Sequence, residues 1–307
     1  MHHAWLLTGP PGIGKATLAY RIARDRLGGR SLMDNSLDIP AADPVSQLIQ
    51  SQGHGNLRVL KRPYDPKAKR LKKDIPVDEV RALSKFFQST ASETGEWRVC
   101  LIDTADDLNP NSENGILKLL EEPPDKTLFL LLSHEPGRLL PTIRSRCMHL
   151  PLQGVAHDQI QRWLKGQADA PDMMQAAAVS LSRGAPGKAL ALAQNAETVL
   201  RPLQRFMTSL DGRGDDMALA KSMAAQKAQT SRSLFWDALI DTLQMQAAYV
   251  ATGLPWAGPF EPISARKSAA TWIRLAEMAQ ETRDRETAIN LEKTAVLYDL
   301  ASKMRAA

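Results

Sequence analysis

The feature that most constrains this chain is a glycine-rich segment near its start, GPPGIGKA at residues 9–16. An apolar stretch at residues 4–7 precedes it, and residues 16–27 have helical spacing that Gly28 and Gly29 end. A strand, a glycine loop and a helix in this order predict a phosphate-binding loop, in which backbone N–H groups and the helix N-terminus surround an anion. The predicted contacts come from Gly9, Pro10, Gly12, Ile13 and Gly14, with Lys15 neutralising β- and γ-phosphate oxygens.

The predicted loop lacks its usual magnesium ligand. A Ser or Thr hydroxyl normally follows the lysine and holds Mg²⁺, but Ala16 stands there. Thr17 belongs to the predicted binding set, yet it points about 100° away around the helix and does not replace that ligand. Such a loop can still bind nucleotide, but we expect magnesium-dependent catalysis to be impaired.

A second predicted site follows an apolar strand at residues 97–102. Asp103 is the carboxylate expected on the metal side, but the next residue is Thr104, where many ATPases carry a glutamate that orients water. Asp106 and Asp107 are interpreted as caps of the following turn. Ser133 ends a third apolar strand at residues 128–133. Two interpretations of its hydroxyl have equal weight: a contact to the γ-phosphate, or a hydrogen bond to the backbone. The metal ligand is missing at Ala16 and the catalytic glutamate at Thr104, which together indicate an ATPase site that no longer hydrolyses ATP.

The order of elements predicts an α/β class. Strands alternate with helices at residues 77–90 and 112–120, which favours a parallel, doubly wound sheet. After Pro151 the pattern becomes helical, with short helices at 157–167, 172–182 and 187–195 and longer ones from residue 200. Residues 30–75 are polar and broken by prolines. Their basic end, residues 61–73, is interpreted either as a solvated, mobile excursion or as a contact to the DNA backbone.

Composition excludes several classes of protein. Cys100 and Cys147 are the only cysteines and form no CxxC pair, so neither a disulfide framework nor a cysteine zinc site is expected. This use of cysteine suits a reducing compartment. No apolar run approaches the roughly 18 residues of a membrane helix. The net charge of +5 is compatible with an acidic partner, but it is weak evidence.

Two further motifs carry a resemblance. NGILKLLEEPP at residues 114–124 resembles the N-A-L-L-K-x-L-E-E-P signature of bacterial clamp-loader ATPases of the AAA+ family, and RSRC at residues 144–147 is similar to their S-R-C motif. With the phosphate loop, the resemblance covers roughly the first 150 residues in the family's order. It implies a P-loop AAA+ core at 1–152, a helical lid at 153–198 and an all-α collar for oligomerisation at 199–307.

The resemblance also implies a role for Arg146. In these assemblies the S-R-C arginine of one subunit reaches the ATP site of the next, where it stabilises charge on the γ-phosphoryl group in trans. The alternative for Arg146 is a surface or ion-paired arginine. Implied partners are the gamma- and tau-type ATPases and delta of a clamp loader, the sliding clamp and primer–template DNA, with a cytoplasmic location and no membrane.

This chain departs from the ATPase members of the family. Gly187 falls where motor subunits place a nucleotide-sensing arginine, with Lys188 beside it, and residues 30–75 hold no cysteines where relatives carry a zinc module. Relatives also have an adenine-contacting segment before the first strand, so here that segment is absent or the start is truncated. We expect no required cofactor, no zinc, and at most vestigial ATP or ADP binding. The alternatives are an active clamp-loader motor and an unrelated P-loop enzyme such as a kinase.

Overall fold

A computed structural model describes residues 2–67, 70–88, 96–210, 229–263, 267–289 and 293–306. The chain divides into two compact units, residues 1–153 and 154–307. The first unit contains the β-sheet, and every regular element described in the second is helical. None of the described helices is both long and apolar enough to span a membrane.

A five-stranded parallel sheet forms the centre of the first unit. Its strands are β1 (Ala4–Thr8), β2 (Leu57–Leu60), β5 (Arg98–Ile102), β6 (Thr127–Ser133) and β7 (Met148–Pro151), in the order β2-β5-β6-β1-β7. β3 (Tyr64–Asp65) and β4 (Arg70–Leu71) pair antiparallel as a separate hairpin. Each neighbouring pair in the main sheet is parallel, as the alternation of strands and helices predicts.

Helices cover both faces of this sheet, so it is doubly wound. α1 (Lys15–Arg26) packs Ala19 and Ala23 on the face that also carries Leu101. The opposite face, which carries Phe129, receives three helices: α3 (Val77–Gln88), α4 (Pro110–Glu121) and α5 (Pro141–Ser145). Strand residues alternate between the two apolar clusters, as the two-residue period of a strand requires. The predicted α/β class is confirmed.

The polar segment at residues 30–75 contains a helix and a strand that the sequence analysis did not predict. α2 (Pro44–Gln50) is capped by Asp43, whose carboxylate accepts hydrogen bonds from the backbone N–H groups of Val45 and Ser46. β2 then pairs with β5 and becomes the edge strand of the sheet. Of the β2 residues, Leu60 is fully buried and Arg58 is exposed. An edge strand that buries so little reads as polar, which is why its pattern did not predict a strand.

The second unit is built from helices around one apolar cluster. They are α6 (His157–Leu164), α7 (Asp172–Ser182), α8 (Pro186–Gln194), α9 (Arg201–Leu210), α10 (Gln229–Thr252), α11 (Ala269–Ile289) and α12 (Lys293–Ala306). A single π-helical turn, Ala196–Leu200, leads into α9. Phe206, Phe235 and Trp272 are fully buried in this cluster. The three short helices expected after Pro151 are present, and the division into lid and collar near residue 198 stays a prediction.

Candidate functional site

The glycine loop joins the carboxyl end of β1 to α1. Gly9, Gly12 and Gly14 have φ values of 142°, 77° and 106°, which residues other than glycine rarely adopt. A Cβ atom at Gly9 would lie 2.7 Å from the carbonyl oxygen of Leu152, so this position has no room for a side chain. Gly14 gives α1 no side-chain cap, which leaves the positive end of the helix facing the loop. The loop geometry fits an anion.

Lys15 is the first residue of α1, and its side chain is turned back onto its own loop. Its Nζ donates to the carbonyl oxygens of Gly9 (2.6 Å) and Pro10 (2.9 Å) and lies 2.6 Å from Nδ1 of His134. An ammonium group has three protons, and each has a partner within the chain. Lys15 is 4% exposed, and burial lowers the pKa of its amine although the charges of Asp106 and Asp103 oppose this. A bound phosphate oxygen would have to replace one of these partners.

The positions around the loop that are catalytic in ATPases lack most of the side chains that hydrolysis requires. Ile13 is buried, whereas Pro10, Gly12 and Thr17 are exposed, and Ala16 presents a methyl group where a metal ligand is needed. Asp103 follows β5 directly, and its charge acts on Lys15. Burial and the same charge raise the pKa of Tyr20. The residues present fit a phosphate group and do not fit a Mg²⁺ centre that hydrolyses ATP.

Asp106 connects the turn after β5 to the end of β6. Its carboxylate accepts from the hydroxyl of Ser133 (2.6 Å, Oδ1) and from the backbone N–H of His134 (2.6 Å, Oδ2). Its side chain therefore does not cap the turn that contains it, contrary to the interpretation from the sequence. Ser133 is fully buried and gives its hydroxyl proton to this carboxylate. The sequence analysis missed His134, although a polar residue directly after a buried strand was an available signal.

Arg146, the predicted finger, directly follows α5. Its Nη2 lies 2.6 Å from Oε1 of Glu121, and its Nη1 donates to the carbonyl oxygen of Thr142 at 3.0 Å. The Arg146 side chain is 34% exposed and that of Glu121 is 48% exposed. Glu121 is the last residue of α4 and belongs to the LEEPP segment. The two motifs that carried the resemblance are thus in direct contact.

The phosphate loop lies at the edge of the sheet formed by the carboxyl ends of its strands, and Arg146 lies at the edge formed by their amino ends. The parallel strands β1 and β7 pair Thr8 with Pro151 at their carboxyl ends and Trp5 with Met148 at their amino ends. The loop follows Thr8, whereas Arg146 comes just before Met148. A four-residue strand spans roughly 10–13 Å. Arg146 therefore does not serve the loop of its own chain.

Other titratable groups singled out in the sequence are engaged in packing. Burial raises the pKa of the Cys147 thiol to about 11, which keeps it protonated at neutral pH and argues against a nucleophile. In the second unit, Lys188 lies 2.7 Å from Asp241, which also pairs with Arg183 at 2.8 Å. Across the described ranges, no three His, Cys, Asp or Glu side chains form a group that could hold a metal ion.

Comparison with known proteins decides the family. The family model described as "DNA polymerase III, delta subunit" matches residues 1–156. The protein named DNA polymerase III subunit delta' in Escherichia coli is 31% identical over 243 residues, which is 78% of this chain and 70% of that protein. The chain belongs to the delta prime family of DNA polymerase III subunits.

Other relatives agree with membership of the delta prime family. The Pseudomonas aeruginosa protein of the same name is 38% identical over 187 residues, which is 60% of this chain and 53% of that relative. The matches thus cover between about half and 70% of the length of these two relatives. A DNA polymerase III subunit gamma of Buchnera aphidicola is 35% identical over 167 residues, 54% of this chain and 42% of that protein.

A solved structure supports the fold. A DNA polymerase III gamma subunit-related protein of Thermotoga maritima superposes with a TM-score of 0.50, covering 99% of this chain and 95% of that one at 14% identity. At this identity the likeness concerns the fold alone. It confirms the predicted fold class, an α/β core with a parallel sheet followed by helices.

Proposed function

We propose that this chain is the delta prime subunit of a DNA polymerase III clamp loader, that it inserts Arg146 into the ATP site of a neighbouring subunit, and that it does not hydrolyse ATP itself. Its partners in this proposal are gamma- or tau-type ATPases, delta, the sliding clamp and primer–template DNA in the cytoplasm. The similarity to proteins named gamma and tau supports such partners. No cofactor is required, ATP or ADP binding is vestigial, and the lack of cysteines at 30–75 argues against zinc.

The observation that carries the proposal is the separation of Lys15 from Arg146 across the sheet. A phosphate loop and a finger arginine at opposite edges of one domain can meet when the loop edge of one subunit faces the arginine edge of another. One subunit then offers its phosphate loop and the next offers its arginine. In this chain the arginine edge is intact, whereas the loop edge has lost its catalytic groups.

The loop itself supports a lack of hydrolysis. Ala16 provides no magnesium ligand and Thr104 no base. The ammonium protons of Lys15 are already bound by two loop carbonyls and His134. Phosphoryl transfer depends on a positioned metal ion and an oriented nucleophile, and neither requirement is met here.

The ion pair with Glu121 is compatible with action in trans. Partly exposed ion pairs contribute about 0.2–1 kcal/mol. A guanidinium ion binds phosphate oxygens through two parallel hydrogen bonds, so the γ-phosphate of a neighbour competes well with one carboxylate. Arg146 would then stabilise the charge that develops as the γ-phosphoryl group is transferred.

The competing function is an active ATPase motor. The preserved glycine conformations and the anion-facing end of α1 favour it. Hydrolysis by the isolated chain in Mg²⁺ and ATP discriminates the two functions. We expect no turnover above background, and robust turnover would overturn the assignment as a silent subunit.

A reconstituted loader tests the finger. Arg146→Ala is compared with Arg144→Ala, which removes an exposed charge two residues away. We expect both variants to assemble normally by gel filtration. In the Arg146 variant, hydrolysis at the one ATP site that receives this arginine should fall on the order of 10³-fold. The total DNA-stimulated rate of the loader should then fall by at least the fraction that this site contributes. The Arg144 variant should keep the wild-type rate. An unchanged rate would remove Arg146 from the mechanism.

A further inference from the structure

The basic end of the segment before α3 forms a surface of its own. Residues 61–73, here called the basic hairpin, contain the paired strands β3 and β4, and residues 68 and 69 at their connection lie outside the described ranges. The backbone N–H of Lys72 donates to the carbonyl oxygen of Pro63 at 2.8 Å and extends the pairing. The described residues on either side of this connection are therefore held together by backbone hydrogen bonds.

Most of the described basic side chains of the hairpin are exposed. Arg62 pairs with Asp107 at 3.1 Å. Five others are exposed and make no ion pair with any residue in the described part of the chain: Lys61, Lys67, Arg70, Lys72 and Lys73. So many like charges on a short segment repel one another and raise the local potential, which attracts a polyanion.

The hairpin also exposes an aromatic and an apolar side chain side by side. Tyr64 is 59% exposed and Leu71 is 51% exposed. They are direct cross-strand partners, so both project from the same face. Surfaces that bind single-stranded nucleic acid combine a positive groove with aromatic rings on which bases stack. An acidic protein surface would need the charges but gain little from the exposed ring.

A cavity of about 500 Å³ lies against β4, and it is lined by Asp65, Arg70, Leu71, Lys72, Lys73 and Asp74. Three of its six lining residues are cations and two are carboxylates, so its lining carries a net positive charge. A volume of this size accommodates a nucleotide-sized group. The charge, the exposed ring and the concave shape thus converge on one short segment.

We propose that the basic hairpin binds single-stranded DNA, with the four described lysines and Arg70 along the phosphates and Tyr64 stacked on a base. The proposal rests on the proposed partnership with primed DNA and assigns part of that contact to this chain. It does not involve Arg146, ATP or another subunit, so it succeeds or fails separately from the finger.

The test measures binding of a fluorescent 20-nucleotide oligothymidylate to the isolated full chain between about 50 and 200 mM NaCl. The hairpin variant carries Lys61→Ala, Lys67→Ala, Lys72→Ala and Lys73→Ala. The control carries the same loss of charge at exposed positions elsewhere, Lys85→Ala, Lys165→Ala, Arg205→Ala and Arg285→Ala. Far-ultraviolet circular dichroism and thermal melting establish that both variants are folded.

We expect the hairpin variant to bind at least about tenfold more weakly at low salt. Its plot of log affinity against log salt should be shallower by roughly 2–3 units, since each single-strand phosphate contact contributes about 0.7. The control should keep most of the wild-type affinity and slope. Equal losses in the two variants, or no loss in the hairpin variant, would overturn the proposal.

Tyr64→Ala separates stacking from charge. We expect a loss of at least about fivefold in oligothymidylate affinity with an unchanged salt slope. Polyglutamate of matched charge is the competitor that represents an acidic protein, and we expect it to compete poorly. If Tyr64→Ala binds normally and polyglutamate competes as well as oligothymidylate, the surface is a general anion site and the assignment to single-stranded DNA fails.

Discussion

Arg146 and Glu121 form an ion pair of 2.6 Å that joins the end of α4 to the turn before β7. Both residues lie at the amino edge of the sheet, since α4 ends where Nε2 of His3, next to the start of β1, contacts the carbonyl oxygen of Leu120 at 3.0 Å. Glu121 therefore restrains the guanidinium ion at the edge from which it would reach a neighbouring subunit.

Glu121→Gln keeps the shape of this contact and removes its charge. Because both partners are partly exposed, we expect the free energy of unfolding to change by less than about 1 kcal/mol, with a coupling of about 0.2–1 kcal/mol in a double-mutant cycle with Arg146→Ala. In the assembled loader, Glu121→Gln should keep at least wild-type hydrolysis, because the competing carboxylate is gone. A loss as large as that of Arg146→Ala would mean that the ion pair itself is required.

The carboxylate of Asp106 should matter more for stability than that of its neighbour Asp107. Asp106→Ala leaves the buried hydroxyl of Ser133 and the backbone N–H of His134 without their acceptor, which costs about 1–3 kcal/mol. Among the described residues, the carboxylate of Asp107 pairs with the partly exposed side chain of Arg62, so Asp107→Ala should cost less than about 1 kcal/mol. Urea denaturation measures both, and equal losses would contradict the role given to Asp106.

The sequence predicted elements well where burial is complete and local signals are strong. α7 has the predicted bounds, and β1 and α1 differ from theirs by about one residue, because glycines and an apolar period mark their ends. The edge strands β2 and β7 were missed, since Arg58, Met148 and His149 are exposed and interrupt the apolar pattern. Edge strands owe their place to hydrogen bonds with a neighbour that is distant in sequence.

Contacts within the sites were less predictable than the residues themselves. Lys15 was recognisable from the pattern of the glycine loop, and Arg146 from the resemblance to the S-R-C motif. The partners that hold them, His134 and Glu121, are 119 and 25 residues away. Their positions depend on how the strands are ordered in the sheet, which spacing along the chain does not encode.

A pH dependence follows from His54 and His3. Nδ1 of His54 accepts the backbone N–H of Asn56 at 3.2 Å, so a proton there would break that bond. Burial lowers the pKa of His54 below its ordinary 6.5 although Glu96 opposes this, and burial with the charge of His2 lowers that of His3. In both cases the unfolded chain binds more protons, so stability falls as pH drops below about 6.5 and is level above it.

Urea denaturation at pH 7.5 and 5.5 measures this effect. We expect wild-type stability to fall between these values, and His54→Gln and His3→Gln each to reduce the fall, since each variant removes one titrating group. Each substitution can also change the stability at pH 7.5, so the quantity compared between variants is the change in free energy of unfolding between the two pH values. A fall of full size in both variants would place the responsible group elsewhere.

His134 should limit the access of nucleotide to the phosphate loop. Its Nδ1 lies 2.6 Å from the Lys15 ammonium group, which also donates to two loop carbonyls. His134→Ala frees one ammonium proton for a β-phosphate oxygen, so we expect ADP to bind several-fold more tightly than to the wild type in isothermal titration calorimetry. Lys15→Ala and the double variant should both bind more weakly than the wild type, because the added affinity requires the lysine. A gain that persists in the double variant would show that His134 acts by blocking space, and equal affinity in the wild type and His134→Ala would show that the contact does not limit binding.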